Sequence, residues 1–209
     1  MLMLEKKATE FLEDLSSSAP FPGGGGAAAV TGALAASLGL MVANLTVGKP
    51  KYAAVEIEIQ NARAELIRLR DKLVRLTDED AIGFEPLAKA YRLPKETEEQ
   101  RSEKEKIMEE ALYKACLVPL EIMETTLEVM RYLSVIGEKG SVMAVSDAGG
   151  GVVLAQSALE GAALNIFINT KSMKKRNLAE ELNAKADGMI AEGNELKEAL
   201  YNKVIGKLR

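Results

Sequence analysis

One acid stands where a helical pattern asks for an apolar residue. Ile59, Ala62, Leu66, Leu69, Leu73 and Leu76 alternate three and four residues apart, the spacing of a single buried helix face. Continuing that spacing reaches Asp80, Gly83 and Leu87. A carboxylate on such a seam is costly unless it is hydrogen-bonded or paired, and desolvation drives its pKa upward. Those properties suit a general acid or base near neutral pH. The plainer reading is that the stripe ends, because Thr77, Asp78 and Glu79 precede Asp80 and Pro86 follows. A second acid, Asp147, stands just before Gly149-Gly-Gly151 at the head of an apolar stretch. Either Asp147 or Ser146 can cap that helix, and with Ser146 as the cap Asp147 is free to face a ligand.

Gly23, Gly24, Gly25 and Gly26 precede a long Ala-rich segment. Glycine turns that open a helix present bare N–H groups to an anion or polar ring. No Lys-Ser or Lys-Thr follows and no strand precedes, so a nucleotide loop does not fit; close helix packing is the competing use. Lys49, Lys51 and Tyr52 end the Ala-rich helix, where cations complement the helix dipole or meet an anionic ligand. Lys171, Lys174, Lys175 and Arg176 form a denser cluster able to hold a polyanionic tail. Asn44, Asn165 and Asn169 lie in apolar stretches and need partners if buried.

What is missing narrows the chemistry. The chain has no histidine, which removes the commonest general base and the commonest transition-metal ligand. Serine–histidine and cysteine–histidine catalysis go with it. No metal site is expected. Acid–base work falls to Asp, Glu, Lys, Tyr, the lone Cys116 or bound water. A net charge of −4 argues against nucleic acid as a partner. A single cysteine allows no internal disulfide and, with an N-terminus unlike a signal peptide, points to the cytoplasm.

The elements that must position these residues are helical. Aromatics are scarce and Ala and Leu dominate, against strands. Leu4, Ala8, Phe11, Leu12 and Leu15 predict a first helix to about Ser17, followed by a breaker run over 18–26. A second helix is expected over 27–47. It carries no charge and is long enough for a membrane span, but its bulk is Ala, Gly, Ser and Thr. It reads instead as a central helix surrounded by others, or as a dimer seam. Pro86 and Pro119 are expected to kink or end the third and fourth helices, with Leu93-Pro94 closing the third. A loop over 137–146, a fifth helix over 147–169, a basic link over 171–176 and an amphipathic last helix complete the chain. Residues 1–209 thus read as a single all-α domain, an antiparallel bundle of about six long helices.

Taken together, these parts resemble the formiminotransferase-cyclodeaminase C-terminal domain and its stand-alone bacterial relatives over nearly the whole chain. The segments concerned are Pro22 to Ala29, Met41 to Tyr52, Asp80-Ala-Ile-Gly-Phe84, Tyr91 to Lys95, Val118-Pro-Leu120, Ser146-Asp-Ala-Gly149 and Asn165-Ile-Phe-Ile-Asn169. Gly26 departs from the serine usual after the glycines, and the loop at Gly140 to Met143 lacks an expected asparagine. The resemblance implies a helical homodimer acting on a folate, without cofactor and without a membrane. It closes 5-formimidoyltetrahydrofolate to 5,10-methenyltetrahydrofolate with release of ammonia, or alternatively hydrolyses the methenyl ring. A non-catalytic folate-binding protein or helical scaffold is the further alternative. Asp80, Asp147 and Lys49 are the candidate catalytic residues, with the two carboxylate roles interchangeable. Gly23, Gly24, Gly25, Gly26, Lys51, Tyr52 and Asn165 are the candidate substrate contacts.

Overall fold

Apolar spacing of three and four residues persists along most of the chain, and the backbone follows it. The computed structural model describes residues 3–209. Its helices are α1 (Ala8–Ser16), α2 (Gly24–Asn44), α3 (Glu56–Tyr91), α4 (Glu98–Lys139), α5 (Val145–Ser172) and α6 (Arg176–Leu208). Short 3-10 turns occur at Met3–Glu5, Pro50–Val55 and Val142–Ala144, and no strand occurs among the described residues. The expected all-α bundle of six helices is what forms. Short links make successive long helices antiparallel neighbours. α2 and α5 therefore also run antiparallel, with Gly24 beside Asn165 near one end and Gly150 beside Leu38 toward the other.

The core is built by leucines of α3 and α4 pressing on a helix almost without side chains. Ile59, Leu66, Leu69, Leu73, Leu76 and Leu87 are all buried along α3, so the stripe continues past Asp80. A Cβ added at Gly39 would sit 2.9 Å from methyl groups of both Leu66 and Leu133. One added at Gly32 would lie 2.9 Å from Thr126 Oγ1 and 3.2 Å from Leu73. Missing side chains on α2 thus admit the knobs of α3 and α4 at close packing density. α2 and the segment Val142–Ser172 are long and apolar enough to cross a bilayer, yet 61% and 50% of their most apolar windows are buried within the bundle.

Several boundaries differ from expectation. Gly24, Gly25 and Gly26 belong to the first turn of α2, which ends at Asn44 and not near residue 47. Glycine is a weak helix former, and here a hydrogen bond from the Gly26 N–H to Asp80 supports the turn. Pro86 and Pro119 end neither helix. Each removes one backbone bond, but the buried neighbours Leu87 and Leu120 hold the helix together around it. The expected loop over 137–146 shrinks to residues 140–144, because α4 runs to Lys139 and α5 starts at Val145. Ala144 precedes α5 with no side-chain cap, so neither Ser146 nor Asp147 is the N-cap. α2 is also not fully surrounded, since Leu34, Met41 and Leu45 face outward. Replacing a central knob tests this packing: Leu73→Ala should lower the unfolding free energy by about 2–5 kcal/mol in a urea titration.

Candidate active site

Asp80 projects from α3 at the first turn of α2. It is half-buried, and its carboxylate accepts a hydrogen bond from the Gly26 N–H. The carboxylate fills the space that a side chain on residue 25 would need, for a Cβ on Gly25 would collide with it. Gly24 and Gly26 are not constrained in this way: the nearest atoms to an added Cβ lie at 3.4 Å (Asn165 Nδ2) and 3.6 Å (Pro22 Cβ). Burial pushes the pKa of Asp80 above the ordinary carboxylate value, and the Gly26 N–H opposes that shift only in part.

Asp80, Gly23, Gly24 and Asn165 line a pocket of about 230 Å³, walled also by Phe21, Phe84, Val118, Pro119, Ile168 and Asn169. Of the described residues lining it, Asp80 alone is charged. Asn165 donates to the Gly161 carbonyl at 3.0 Å, and Asn169 to the Ala115 carbonyl at 3.3 Å. Cys116 lies close behind, but burial pushes its thiol up to about 11, which disqualifies it as a nucleophile. A larger hollow of about 690 Å³ beside Tyr113 and Lys175 carries no such chemistry. Its Lys174 pairs with Glu105 at 2.6 Å, and Glu109 accepts from the backbone N–H groups of Lys174 and Lys175. The basic cluster is therefore largely engaged in holding the α5–α6 link.

The remaining candidates lie elsewhere. Lys49, Lys51 and Tyr52 follow the far end of α2, whose 21 residues set them roughly 30 Å from the glycines. There Val142 N–H donates to Tyr52 Oη at 3.2 Å and Ser141 N–H to Thr46 Oγ1 at 2.8 Å, tying the α4–α5 link to α2. The Val142 bond draws the Tyr52 pKa below its ordinary value. Lys51 Nζ stands 5.5 Å from the Tyr52 ring centre. Asp147, in the first turn of α5, belongs to this end too. One chain thus unites Asp80, Gly23 to Gly26 and Asn165, and separates them from Lys49, Lys51, Tyr52 and Asp147. Asn44 is exposed and accepts from Arg63 at 2.5 Å, so it is not a buried polar group. Among the described residues, no group of three or more Cys, Asp or Glu side chains could hold a metal ion. Sequence reasoning passed over Phe21, Phe84, Val118 and Ile168 as pocket walls, although all but Phe21 lie in the segments that carry the family resemblance.

These features define an all-helical bundle protein with a desolvated carboxylate set against a glycine-built helix start. Residues 7–188 match the formiminotransferase-cyclodeaminase family, and the chain belongs to it. It is 40% identical to the methenyltetrahydrofolate cyclohydrolase of Methylorubrum extorquens, over 95% of both chains. It is 27% identical to the formimidoyltransferase-cyclodeaminase of Gallus gallus, across 96% of this chain but only 38% of that protein. The fold matches a crystal structure of formiminotetrahydrofolate cyclodeaminase from Thermotoga maritima, with a TM-score of 0.88 at 24% identity and 99% coverage of both.

Two measurements probe the pocket without any substrate. Gly26→Ala should be neutral or raise Tm, since the added methyl fits and favours helix. Gly25→Ala must displace the Asp80 carboxylate and should destabilise by about 1–3 kcal/mol. The raised pKa of Asp80 means that, between its unfolded and folded values, the folded protein binds more protons. Stability from this group therefore falls as pH rises through that window. Asp80→Asn removes the effect, so its gain in Tm over the native chain should be larger near pH 7 than near pH 4.

Proposed function

We propose that this protein is a folate one-carbon enzyme that hydrolyses 5,10-methenyltetrahydrofolate to formyltetrahydrofolate, with Asp80 as its proton carrier. The observation that carries the reading is the single desolvated carboxylate in the pocket, in a chain 40% identical over almost its full length to a methenyltetrahydrofolate cyclohydrolase. Water bonds to the carbon bridging N5 and N10 as the Asp80 carboxylate takes one of its protons. The bond from that carbon to one nitrogen then breaks as the carboxyl returns the proton to the departing nitrogen. The remaining hydroxyl proton leaves to solvent and the carbon becomes a formyl group. Nothing is oxidised or reduced, so the balance calls for no redox cofactor. A pKa raised toward neutrality suits a group that must accept and then donate.

Cyclodeamination is the second reading, favoured by the family match over residues 7–188. There N10 attacks the formimidoyl carbon, and the same carboxyl protonates the nitrogen that leaves as ammonia. Asp80 serves both reactions because both pass through a tetrahedral carbon between the two nitrogens. The protein is further proposed to be a homodimer: α2 and α5 leave Leu34, Met41, Leu164 and Ile168 exposed on neighbouring faces. Its one thiol, buried at Cys116, is in keeping with a cytoplasmic location.

The test is an absorbance assay of methenyltetrahydrofolate decay, run beside one of formimidoyltetrahydrofolate closure. Turnover should be fastest in the first, and Asp80→Asn should lower kcat by roughly 10²–10⁴-fold with the fold intact. A native protein silent in both assays, or an Asp80→Asn variant with unchanged kcat, would sink the proposal.

A further inference from the structure

We propose that Asn169 recognises the ligand of the Asp80 pocket, and that a proline in the neighbouring helix sets its side chain to do so. The identity of the ligand rests on the folate reading; the geometry rests on the contact between α4 and α5.

The arrangement begins in the backbone of α4. An N–H at position 119 would bond the carbonyl four residues earlier, at Ala115. Pro119 has no N–H, yet it lies inside a helix that runs from Glu98 to Lys139. The carbonyl left over is taken by another helix: Asn169 Nδ2, on α5, donates to the Ala115 oxygen at 3.3 Å. A carbonyl only accepts, so this bond fixes which end of the amide is nitrogen. The same amide faces the neighbouring sulfur. Burial raises the Cys116 thiol, and a hydrogen bond from Asn169 opposes that rise. Both contacts draw on the nitrogen end, which leaves Oδ1. Among the described residues no donor reaches Oδ1, nor is it one of the buried polar atoms shut away without a partner. Asn169 is only 8% exposed, and the space it lines is the Asp80 pocket. Its oxygen opens into that space.

What the pocket asks of a ligand follows from its polar side chains, which are Asp80, Asn165 and Asn169. The two asparagines stand four residues apart on one face of α5. Asn165 likewise turns an N–H to a carbonyl, that of Gly161 at 3.0 Å. The side chains thus offer two amide oxygens and a carboxylate, all acceptors, between apolar walls. Such a lining suits a flat ring with N–H groups on its edge and disfavours a carboxylate tail. A volume of about 230 Å³ is below the roughly 300–1,000 Å³ of complete small-molecule sites, and so fits part of a ligand. Of a reduced folate, that part is the fused ring, whose amino and ring N–H groups are donors. Those groups keep their hydrogens while the carbon between N5 and N10 reacts. Asn169 therefore holds substrate and transition state alike.

Steady-state kinetics on methenyltetrahydrofolate separates recognition from support. Asn169→Ala should raise KM about tenfold and change kcat by less than about threefold, since it removes uniform binding. Pro119→Ala restores an N–H to the Ala115 carbonyl and so releases the Asn169 amide. It should raise KM several-fold while Tm holds or rises, because the helix regains its bond. In that background Asn169→Ala should raise KM by less than about threefold further, the amide being already free to turn away. Its effect on Tm should shrink likewise, from a loss of about 2–4 °C in the native chain to almost none. The double variant keeps Ala115 satisfied, so it reads the coupling even where Asn169→Ala alone unfolds. A KM unmoved by Asn169→Ala or by Pro119→Ala overturns the inference. KM effects that multiply in the double variant overturn the positioning by Pro119. Failure of the folate reading would look different: a native protein that turns over neither folate defeats the ligand contact too, while the Tm coupling persists.

Discussion

A carboxylate occupies the volume that nearly any other residue at position 25 would claim for its own side chain. Two opposed effects meet at that contact. Withdrawal from water favours the neutral acid, while the Gly26 N–H and the positive end of α2 favour the anion. Desolvation dominates, and the group is left raised but still able to ionise. Position and proton affinity thus come from one arrangement, the crossing of α3 over the first turn of α2. Moving either helix would lose both.

That crossing depends on how little α2 carries on its inner side. Gly32 and Gly39 let Thr126, Leu66, Leu73 and Leu133 approach to distances a methyl group would not permit. A helix so stripped gains little stability from its own propensity and much from its neighbours. Its outward side is no more polar, as Leu34, Met41 and Leu45 show. The same composition that lets α2 hold the site therefore leaves a face that water does not favour.

The chemistry proposed is economical in functional groups. In a chain without histidine, one acid of raised pKa can take a proton from water and deliver it to a departing nitrogen. Hydrolysis and cyclodeamination differ in the nucleophile and in the group expelled, not in the proton carrier they require. Selection between them then falls to the walls. Phe21, Phe84, Val118 and Ile168 make those walls apolar, and Asn165 presents an amide at the glycine end.

Much was legible in the sequence because helical periodicity is local. The spacing of Ile59 to Leu76 marked α3, and its extension picked out Asp80 on the inner side with Leu87 buried beyond it. The glycines were legible as a helix start, though not as residues already inside the helix. The proline positions misled, because a lost backbone bond is a local cost that buried neighbours outweigh. Asp147 misled for a similar reason, since α5 begins two residues earlier, at Val145. What no local pattern could convey is which candidates share a place. Lys49 and Lys51 lie only some 25 residues from the glycines in sequence, yet an α-helix rises 1.5 Å per residue and carries them to the opposite end of the bundle. Asn165 is about 140 residues from Gly24 and touches its position, because antiparallel return brings α5 back beside α2. The residue types and helix faces were thus determined by the sequence itself, whereas the direction in which each helix runs, and so the membership of the site, was decided only by tertiary packing.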